Sequence, residues 1–129
     1  MTVCLFGIYN PNYSRNRVLI SGFKKNNWRV VECRVDPRKI TGIKKYIILI
    51  KQFLRIRKTE KVDLLWVAFP GQVVVWLAYL IFPGRIVFDA FLSLYNSEVE
   101  DRLSVPKISF RAGYYWWLDW LSCFLIRDV

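Results

Sequence analysis

VCLFGIYNPN, residues 3–12, introduces the pattern that decides the fold. Residues 3–9 contain almost nothing polar, which is typical of a strand buried on both faces of a parallel sheet. The Asn-Pro-Asn turn that follows ends the strand. A helix is then predicted over residues 14–25 and a second strand over residues 28–35. Together these segments predict a βαβ unit.

The same alternation continues along the chain. Further strands are predicted over residues 62–69 and 85–89, and further helices over residues 38–61, 72–82, 93–102 and 109–127. Strands that alternate with helices imply a parallel sheet with right-handed crossovers. The sequence therefore predicts an α/β fold, a Rossmann-like parallel sheet with flanking helices, in a single domain over residues 1–129.

A competing interpretation concerns residues 64–83, which contain no charged residue and are long enough to resemble a transmembrane helix. The basic segment before them would supply the positive flank expected on the cytosolic side. Pro70 and Gly71 interrupt the run, however, and the residue before a proline is biased away from the helical conformation. A buried strand followed by a buried helix is therefore favoured, and a single-pass membrane protein is the alternative.

Composition limits the chemistry of the chain. Its 129 residues are 54% hydrophobic, carry 20 Lys and Arg against 10 Asp and Glu, and include no histidine. The net charge of +10 favours an acidic partner. Without histidine, these residues can form neither a Ser-His-Asp triad nor a histidine-ligated zinc site. Three widely spaced cysteines predict small buried thiols in a reducing compartment, with no disulfide framework and no metal site. Residues 1–7 lack the features of a signal peptide, so a cytoplasmic location is expected.

Most of the positive charge lies in the helix predicted over residues 38–61, which holds nine basic residues and one acid, a net charge of +8. The candidate membrane-binding residues are Lys44, Lys45, Lys51, Arg55 and Lys58. An opposite apolar arc is formed by Ile43, Tyr46, Ile47, Ile50, Phe53 and Leu54. This combination predicts binding to an anionic membrane surface, and a solvated surface helix is the simpler alternative. Nucleic acid is not expected as a partner, because the aromatic residues cluster elsewhere, over residues 114–120, where we expect core.

Polar residues follow three of the predicted strands, and open parallel sheets bind ligands beyond the carboxyl ends of their strands. In the first cluster, residues 7–17, Arg15 and Arg17 lie near the start of a helix whose free N–H groups favour a phosphate. No dinucleotide or Walker motif is present. A plain turn with Ser14 as the helix cap is equally consistent with these residues.

The other two clusters follow the third and fourth predicted strands. Residues 69–72 offer a glycine that permits close backbone approach and an amide at Gln72, or form a simple strand-to-helix turn. Residues 87–97 place Asp89 directly after an apolar strand. Asp89 is then either a base that contacts a substrate hydroxyl or a helix cap in a solvated turn.

Taken in order, the clusters carry a family resemblance. Its motifs are Tyr9-Asn10-Pro11-x-Tyr13-Ser14-Arg15-Asn16, Phe69-Pro70-Gly71, Phe88-Asp89-Ala90-Phe91-x-Ser93-Leu94-Tyr95 and Val99-x-Asp101-Arg102. This order resembles the N-terminal domain of GT-B glycosyltransferases of the family 4 type, over nearly the whole chain. The resemblance implies a two-domain enzyme that transfers a sugar from a nucleotide-sugar to a hydroxyl. The nucleotide-binding half, with its E-x7-E glutamate pair, has no counterpart here, so no cofactor is expected in this chain.

The resemblance also implies roles for individual residues. Gly7, Asn10, Tyr13, Arg15 and Gly71 would line the acceptor-binding cleft, and Asp89 and Ser93 would contact the acceptor. From the clusters themselves, Gln72 is added to the cleft and Asp89 is the catalytic candidate. We therefore expect the acceptor-binding part of a glycosyltransferase, inactive alone, at the cytosolic membrane face. Its acceptor would be lipid-linked or a polysaccharide, and the nucleotide-sugar would bind in the missing half or a separate donor-binding subunit. A non-catalytic membrane-associated scaffold is the alternative.

Overall fold

The computed structural model describes residues 1–126, which form four strands and four α-helices. The elements in chain order are β1 (Thr2–Ile8), α1 (Ser14–Lys25), β2 (Arg29–Val35), α2 (Lys44–Thr59), β3 (Leu64–Val67), α3 (Val75–Ile81), β4 (Arg85–Phe88), a π-helix (Asn96–Asp101) and α4 (Phe110–Leu125). Strands and helices alternate throughout the sheet, so the predicted α/β fold is confirmed. Arg127, where the last predicted helix ends, lies outside the described residues.

The four strands form one parallel sheet in the order β2-β1-β3-β4. β1 pairs with β2 over all seven of its residues and with β3 from Val3 to Phe6. Residues 3–8 of β1 are buried, as expected of a central strand covered on both faces. The chain moves from β1 to one side to form β2 and to the other side to form β3. A topological switch point therefore lies between β1 and β3.

The helices α2 and α3 cover one face of the sheet. Leu49 and Phe53 of α2 are fully buried. The ring centroid of Phe53 lies 5.9 Å from that of Phe6 in β1 and 5.9 Å from that of Phe82 after α3, both edge-on. The thiol of Cys33 donates to the Leu49 carbonyl at 3.5 Å. These contacts join β1, β2, α2 and the end of α3 in the larger core.

The opposite face of the sheet is covered by α1. The ring centroid of Phe23 in α1 lies 5.4 Å from that of Trp28 and 5.4 Å from that of Trp66 in β3. Val3 and Leu5 of β1 are buried beneath these rings. The central strands β1 and β3 therefore have a core on each face, which explains why they contain no charged residue.

The cationic helix is shorter than predicted. Residues 38–61 were expected to be helical, but α2 begins at Lys44, because the Asp36 carboxylate accepts a hydrogen bond from the backbone N–H of Arg38 and favours a turn there. The buried side of α2 is also narrower than the predicted apolar arc. Exposed apolar residues remain on that arc at Ile43, Ile47 and Leu54.

One further local prediction is wrong. Ser14 does not cap α1: Tyr13 occupies the cap position, and its side chain makes no capping hydrogen bond. The segment predicted as helical over residues 93–102 is helical, and most of it is a π-helix, Asn96–Asp101. A serine near the start of a helix predicts the first helical residue only to within a residue or two, because the position of the cap depends on where the preceding strand ends.

No helix among residues 1–126 combines the length and apolar character needed to cross a membrane. The uncharged run of residues 64–83 is divided into β3, a loop with a cis peptide bond between Phe69 and Pro70, and the seven-residue helix α3. The alternative of a transmembrane helix over residues 64–83 is therefore wrong.

Most aromatic residues of α4 are exposed, contrary to the prediction, and only Tyr115 packs against a core cluster within the described residues. The side chains of Tyr114, Trp116, Trp117 and Trp120 are between 47% and 58% exposed. Only the side of α4 that carries Ala112, Leu118 and Ser122 is buried. Cys123 is also exposed, whereas Cys4 and Cys33 are buried as predicted. Because α4 is apolar on nearly all sides, hydropathy alone does not identify its buried side.

Candidate functional site

The candidate site lies at the carboxyl ends of β1, β3 and β4, beside the start of α1. Gly7 is near the end of β1 with φ of +154°, a conformation that residues with a side chain rarely adopt. The Phe69-Pro70-Gly71 loop follows β3, and Asp89 follows β4 directly. The parallel topology thus brings the three sequence clusters to one edge, next to the switch point where such sheets bind ligands.

An ion pair between Arg15 and Asp89 joins the first and third clusters. Nε of Arg15 donates to Oδ2 of Asp89 at 2.8 Å, and Nη2 donates to Oδ1 at 2.6 Å. The Asp89 side chain is only 3% exposed, whereas that of Arg15 is 35% exposed. Hydrogen bonding to Asp89 raises the pKa of the Arg15 guanidinium, which keeps its charge. Both carboxylate oxygens are therefore engaged by a fixed cation.

Aromatic rings surround the exposed part of Arg15. Its guanidinium carbon lies 4.1 Å from the ring centroid of Phe91, a cation–π contact. The Phe69 ring is 5.6 Å from Phe91 and 6.0 Å from Tyr13, centroid to centroid. Tyr13 and Phe91 are about half exposed, at 45% and 49%. Within residues 1–126, Nη1 of Arg15 makes no hydrogen bond, so the site presents a cationic donor over the face of Phe91.

Two buried amides support the surrounding loops. Gln72 is 2% exposed, and its Nε2 donates to the Leu92 carbonyl at 2.6 Å, so its amide faces the loop after β4. Asn16 is fully buried, and its Nδ2 donates to the carbonyl of Asn10 at 3.2 Å. The side-chain oxygen of each amide has no partner in the described part of the chain. The sequence analysis did not single out Asn16 as a site residue, although it belongs to the first motif.

Asn10 and Gly71 shape the site through packing and turns. Oδ1 of Asn10 accepts a hydrogen bond from the backbone N–H of Asn12 at 2.9 Å, which stabilises the turn before α1. A Cβ on Gly71 would lie 2.7 Å from Cγ1 of Val67 and 3.0 Å from the ring of Phe88. Glycine is therefore required at this position by contact with the core. Close approach of a ligand to Gly71 stays a prediction.

Ser93 is held by a residue that the sequence analysis missed. Its hydroxyl donates to Oδ2 of Asp119 in α4 at 2.7 Å, and the same carboxylate accepts the backbone N–H groups of Leu94 and Tyr95 at 3.0 and 2.9 Å. Asp119 thus ties α4 to the loop after β4. The single carboxylate of a largely apolar helix was the available signal, since such a group requires partners when it is buried.

The candidate membrane-binding residues do not belong to this site. Lys44, Lys45, Lys51, Arg55 and Lys58 all lie on α2. α2 packs on the face of the sheet opposite α1, which carries Arg15. The structure therefore contains two separate candidate surfaces, one at the carboxyl edge and one on α2.

No group of three potential metal-ligating side chains comes together within residues 1–126. The chain matches no protein-family model, no curated protein and no solved structure. The arrangement at the carboxyl edge is therefore interpreted from its own geometry: a positioned guanidinium, a buried carboxylate and two half-exposed rings.

Proposed function

We propose that the chain is the acceptor-binding part of a glycosyltransferase, which transfers a sugar from a nucleotide-sugar to a hydroxyl group. The observation that carries the proposal is the Arg15–Asp89 ion pair. The two residues are 74 positions apart in sequence and belong to the first and third motifs of the family resemblance. They meet beside the switch point, where open α/β sheets bind their ligands.

Arg15 would bind the acceptor in this proposal. Its free Nη1 group can donate to a hydroxyl or phosphate oxygen, while Asp89 and the Phe91 ring hold the guanidinium in one orientation. The half-exposed rings of Tyr13 and Phe91 can pack against the apolar face of a sugar. Asp89 is a positioning residue while the pair is closed. It acts as a base only when Arg15 releases one of its oxygens.

The nucleotide-sugar would bind to another part of the enzyme or to a separate donor-binding subunit, and this chain would need no cofactor of its own. Its acceptor would be lipid-linked or a polysaccharide at the cytosolic face of the membrane. The positive charge of α2 supports that location, because Lys44, Lys51 and Lys58 form no salt bridge within residues 1–126 and can bind anionic lipid.

Substitutions at the ion pair test the proposal. Arg15→Gln and Asp89→Asn are introduced into the chromosomal copy, and transfer from radiolabelled nucleotide-sugars is measured in isolated membranes. We expect both to lower transfer by about 100-fold, because Arg15→Gln removes the guanidinium and Asp89→Asn weakens the contact that fixes its orientation. The matched control is Glu60→Gln, which breaks the Arg29–Glu60 ion pair at the opposite edge of the sheet. Unchanged transfer in both site variants would refute the proposed site.

The two variants also separate positioning from acid–base catalysis. If Asp89 only positions Arg15, Asp89→Asn raises KM for the acceptor and leaves the pH profile of kcat unchanged; if Asp89 is the base, kcat falls and one limb of the profile disappears. Arg15→Gln should destabilise the fold more than Asp89→Asn, because it leaves a nearly buried carboxylate without its partner. Thermal unfolding of each variant is therefore measured first, and the assay is run at a temperature at which both variants are folded.

A non-catalytic membrane-associated scaffold is the second candidate. It is favoured by one observation: both oxygens of Asp89 are occupied by Arg15, so no free base is present at the site. A scaffold would give no transfer with any nucleotide-sugar, in membranes of either the parent or the variants. Full membrane association would nevertheless be retained.

A further inference from the structure

The solvent side of α4 is apolar along its whole length. Phe110, Tyr114, Trp117, Leu121 and Phe124 recur at spacings of three and four and therefore share one stripe of the helix. Phe110 is 92% exposed and Phe124 is 71% exposed. The charged residues of α4 lie off this stripe. A surface of this kind is uncommon on a protein that has only water around it.

The stripe continues into an apolar groove between α4 and α2, with a volume of about 590 Å³. Tyr114, Trp117 and Leu121 line the α4 side, and Ile43, Ile47 and Ile50 line the α2 side. Ile43 is 74% exposed and Ile47 is 46% exposed, so the apolar surface extends from one helix to the other.

Lysines border this apolar surface on α2. Lys44 and Lys51 lie three residues before and four residues after Ile47, and are therefore its neighbours on the helix surface. Lys51 and Lys58 flank the half-exposed Leu54 in the same way. None of the three lysines forms a salt bridge in the part of the chain that the structure describes. The face formed by α2 and α4 thus combines uncompensated cations with exposed aromatic and aliphatic side chains.

We propose that this α2–α4 face docks on an anionic lipid bilayer. The lysines would bind lipid phosphates, and the tryptophan and tyrosine rings of α4 would lie at the level of the headgroups, where such rings partition. Charge complementarity selects this occupant. A second copy of the chain would bring two segments of net charge +8 together, which opposes a symmetric dimer through this face. The inference rests on the membrane location in the proposed function and is independent of sugar transfer.

The test uses the full chain and vesicles of phosphatidylcholine, either alone or with roughly a third phosphatidylglycerol. Flotation and tryptophan emission measure binding, with no nucleotide-sugar present. We expect binding to the anionic vesicles only, with a blue shift of the emission. Trp117→Ser combined with Phe124→Ser should weaken binding on the order of tenfold, because both side chains lose apolar contact with the bilayer. Lys51→Gln combined with Lys58→Gln should weaken it by about 30-fold.

Matched controls are available on α1, which covers the other face of the sheet. Val18→Ser removes an apolar residue that is 70% exposed, and Lys24→Gln with Lys25→Gln removes two cations. The first should leave binding unchanged, and the second should weaken it less than the α2 pair does. Circular dichroism of each variant verifies that the fold is retained.

Three results would overturn the inference. The α4 variant could bind as tightly as the parent, or the α1 lysine variant could lose as much affinity as the α2 variant. The third is a lipid-free dimer, detected by light scattering, that dissociates in the Trp117→Ser and Phe124→Ser variant, because the occupant would then be a second copy. Each of these leaves sugar transfer untested, so failure here is distinguishable from failure of the proposed function.

Discussion

α2 and α4 are both sixteen residues long and line opposite sides of one groove, yet their outer sides differ. α2 turns lysines and arginines outward and buries Leu49 and Phe53, whereas α4 turns aromatic rings outward and buries Ala112 and Leu118. In α2 the cations mark the solvent side in the sequence. In α4 no row of charged residues identifies the solvent side, so the sequence is consistent with its apolar residues lying either in the core or on the surface. Hydrophobic periodicity identifies a buried face only where polar residues define the other one.

The largest expected effect on stability is the difference between replacing a buried ring of α2 and replacing an outward-facing ring of α4. Phe53→Ala should lower the free energy of unfolding by about 3–5 kcal/mol, because Phe53 is fully buried between Phe6 and Phe82. Trp117→Ser should lower it by about 1 kcal/mol or less, since Trp117 is 47% exposed. Urea unfolding followed by circular dichroism measures both. Equal losses would show that the outer side of α4 belongs to the core.

A smaller effect is expected where α4 is anchored to the sheet. Asp119→Asn should lower the free energy of unfolding by about 2 kcal/mol, because the carboxylate accepts hydrogen bonds from the Ser93 hydroxyl and two backbone N–H groups. Ser93→Ala should cost less, since the two backbone hydrogen bonds remain. Chemical denaturation compares the two variants. A larger loss for Ser93→Ala would contradict the anchoring role of Asp119.

The cysteines provide a third comparison between the outside of α4 and the sheet. Cys123 should react with a thiol reagent in the native state, whereas Cys4 and Cys33 should react only on unfolding. Burial raises the pKa of the Cys4 thiol from 9.0 to about 12. Between these values the unfolded chain releases a proton that the native chain keeps. The Cys4 thiol should therefore lower stability by about 1.4 kcal/mol per pH unit as the pH rises above 9, and the Cys33 thiol, whose pKa burial also raises, adds a fall of its own.

Mass spectrometry of the labelled protein measures the reactivity of each thiol. Denaturant titrations between pH 8 and pH 11 measure the fall in stability, because the Cys4 pKa is 9.0 in the unfolded chain and about 12 in the native one. Cys4→Ser serves as the control for the pH dependence, because the hydroxyl does not titrate there. Native-state labelling of Cys4 at the rate of Cys123 would show that β1 is not the buried strand of the sheet.

The smallest effect is expected on the outer side of α2. Lys51→Gln should change the free energy of unfolding by less than about 0.5 kcal/mol, because its charge faces solvent and forms no salt bridge within residues 1–126. Thermal unfolding at low and high salt tests this. A clear destabilisation by the substitution would assign Lys51 to the fold and weaken its assignment to a membrane-binding surface.

β1, β3 and β4 were predictable because residues 3–9 and the shorter runs after them are apolar and alternate with helical segments, a pattern typical of a parallel sheet covered on both faces. The meeting of Arg15 with Asp89 was not predictable in the same way. The topology placed both residues at one edge of the sheet, but their bidentate pairing depends on side-chain geometry that no spacing encodes. Asp119 shows a related limit, since its partners lie in a loop distant in sequence.

The most direct test of the proposed function is sugar transfer by the tagged protein, purified from its own cells under mild conditions with any chain joined to it or bound to it. Intact mass identifies the donor-binding half as part of the same polypeptide or as a copurified subunit. We expect transfer from a nucleotide-sugar to a membrane lipid extract, and about 100-fold less when Asp89→Asn is present. Folded protein that transfers no sugar from any nucleotide-sugar, with no nucleotide-binding chain attached, would contradict the proposal.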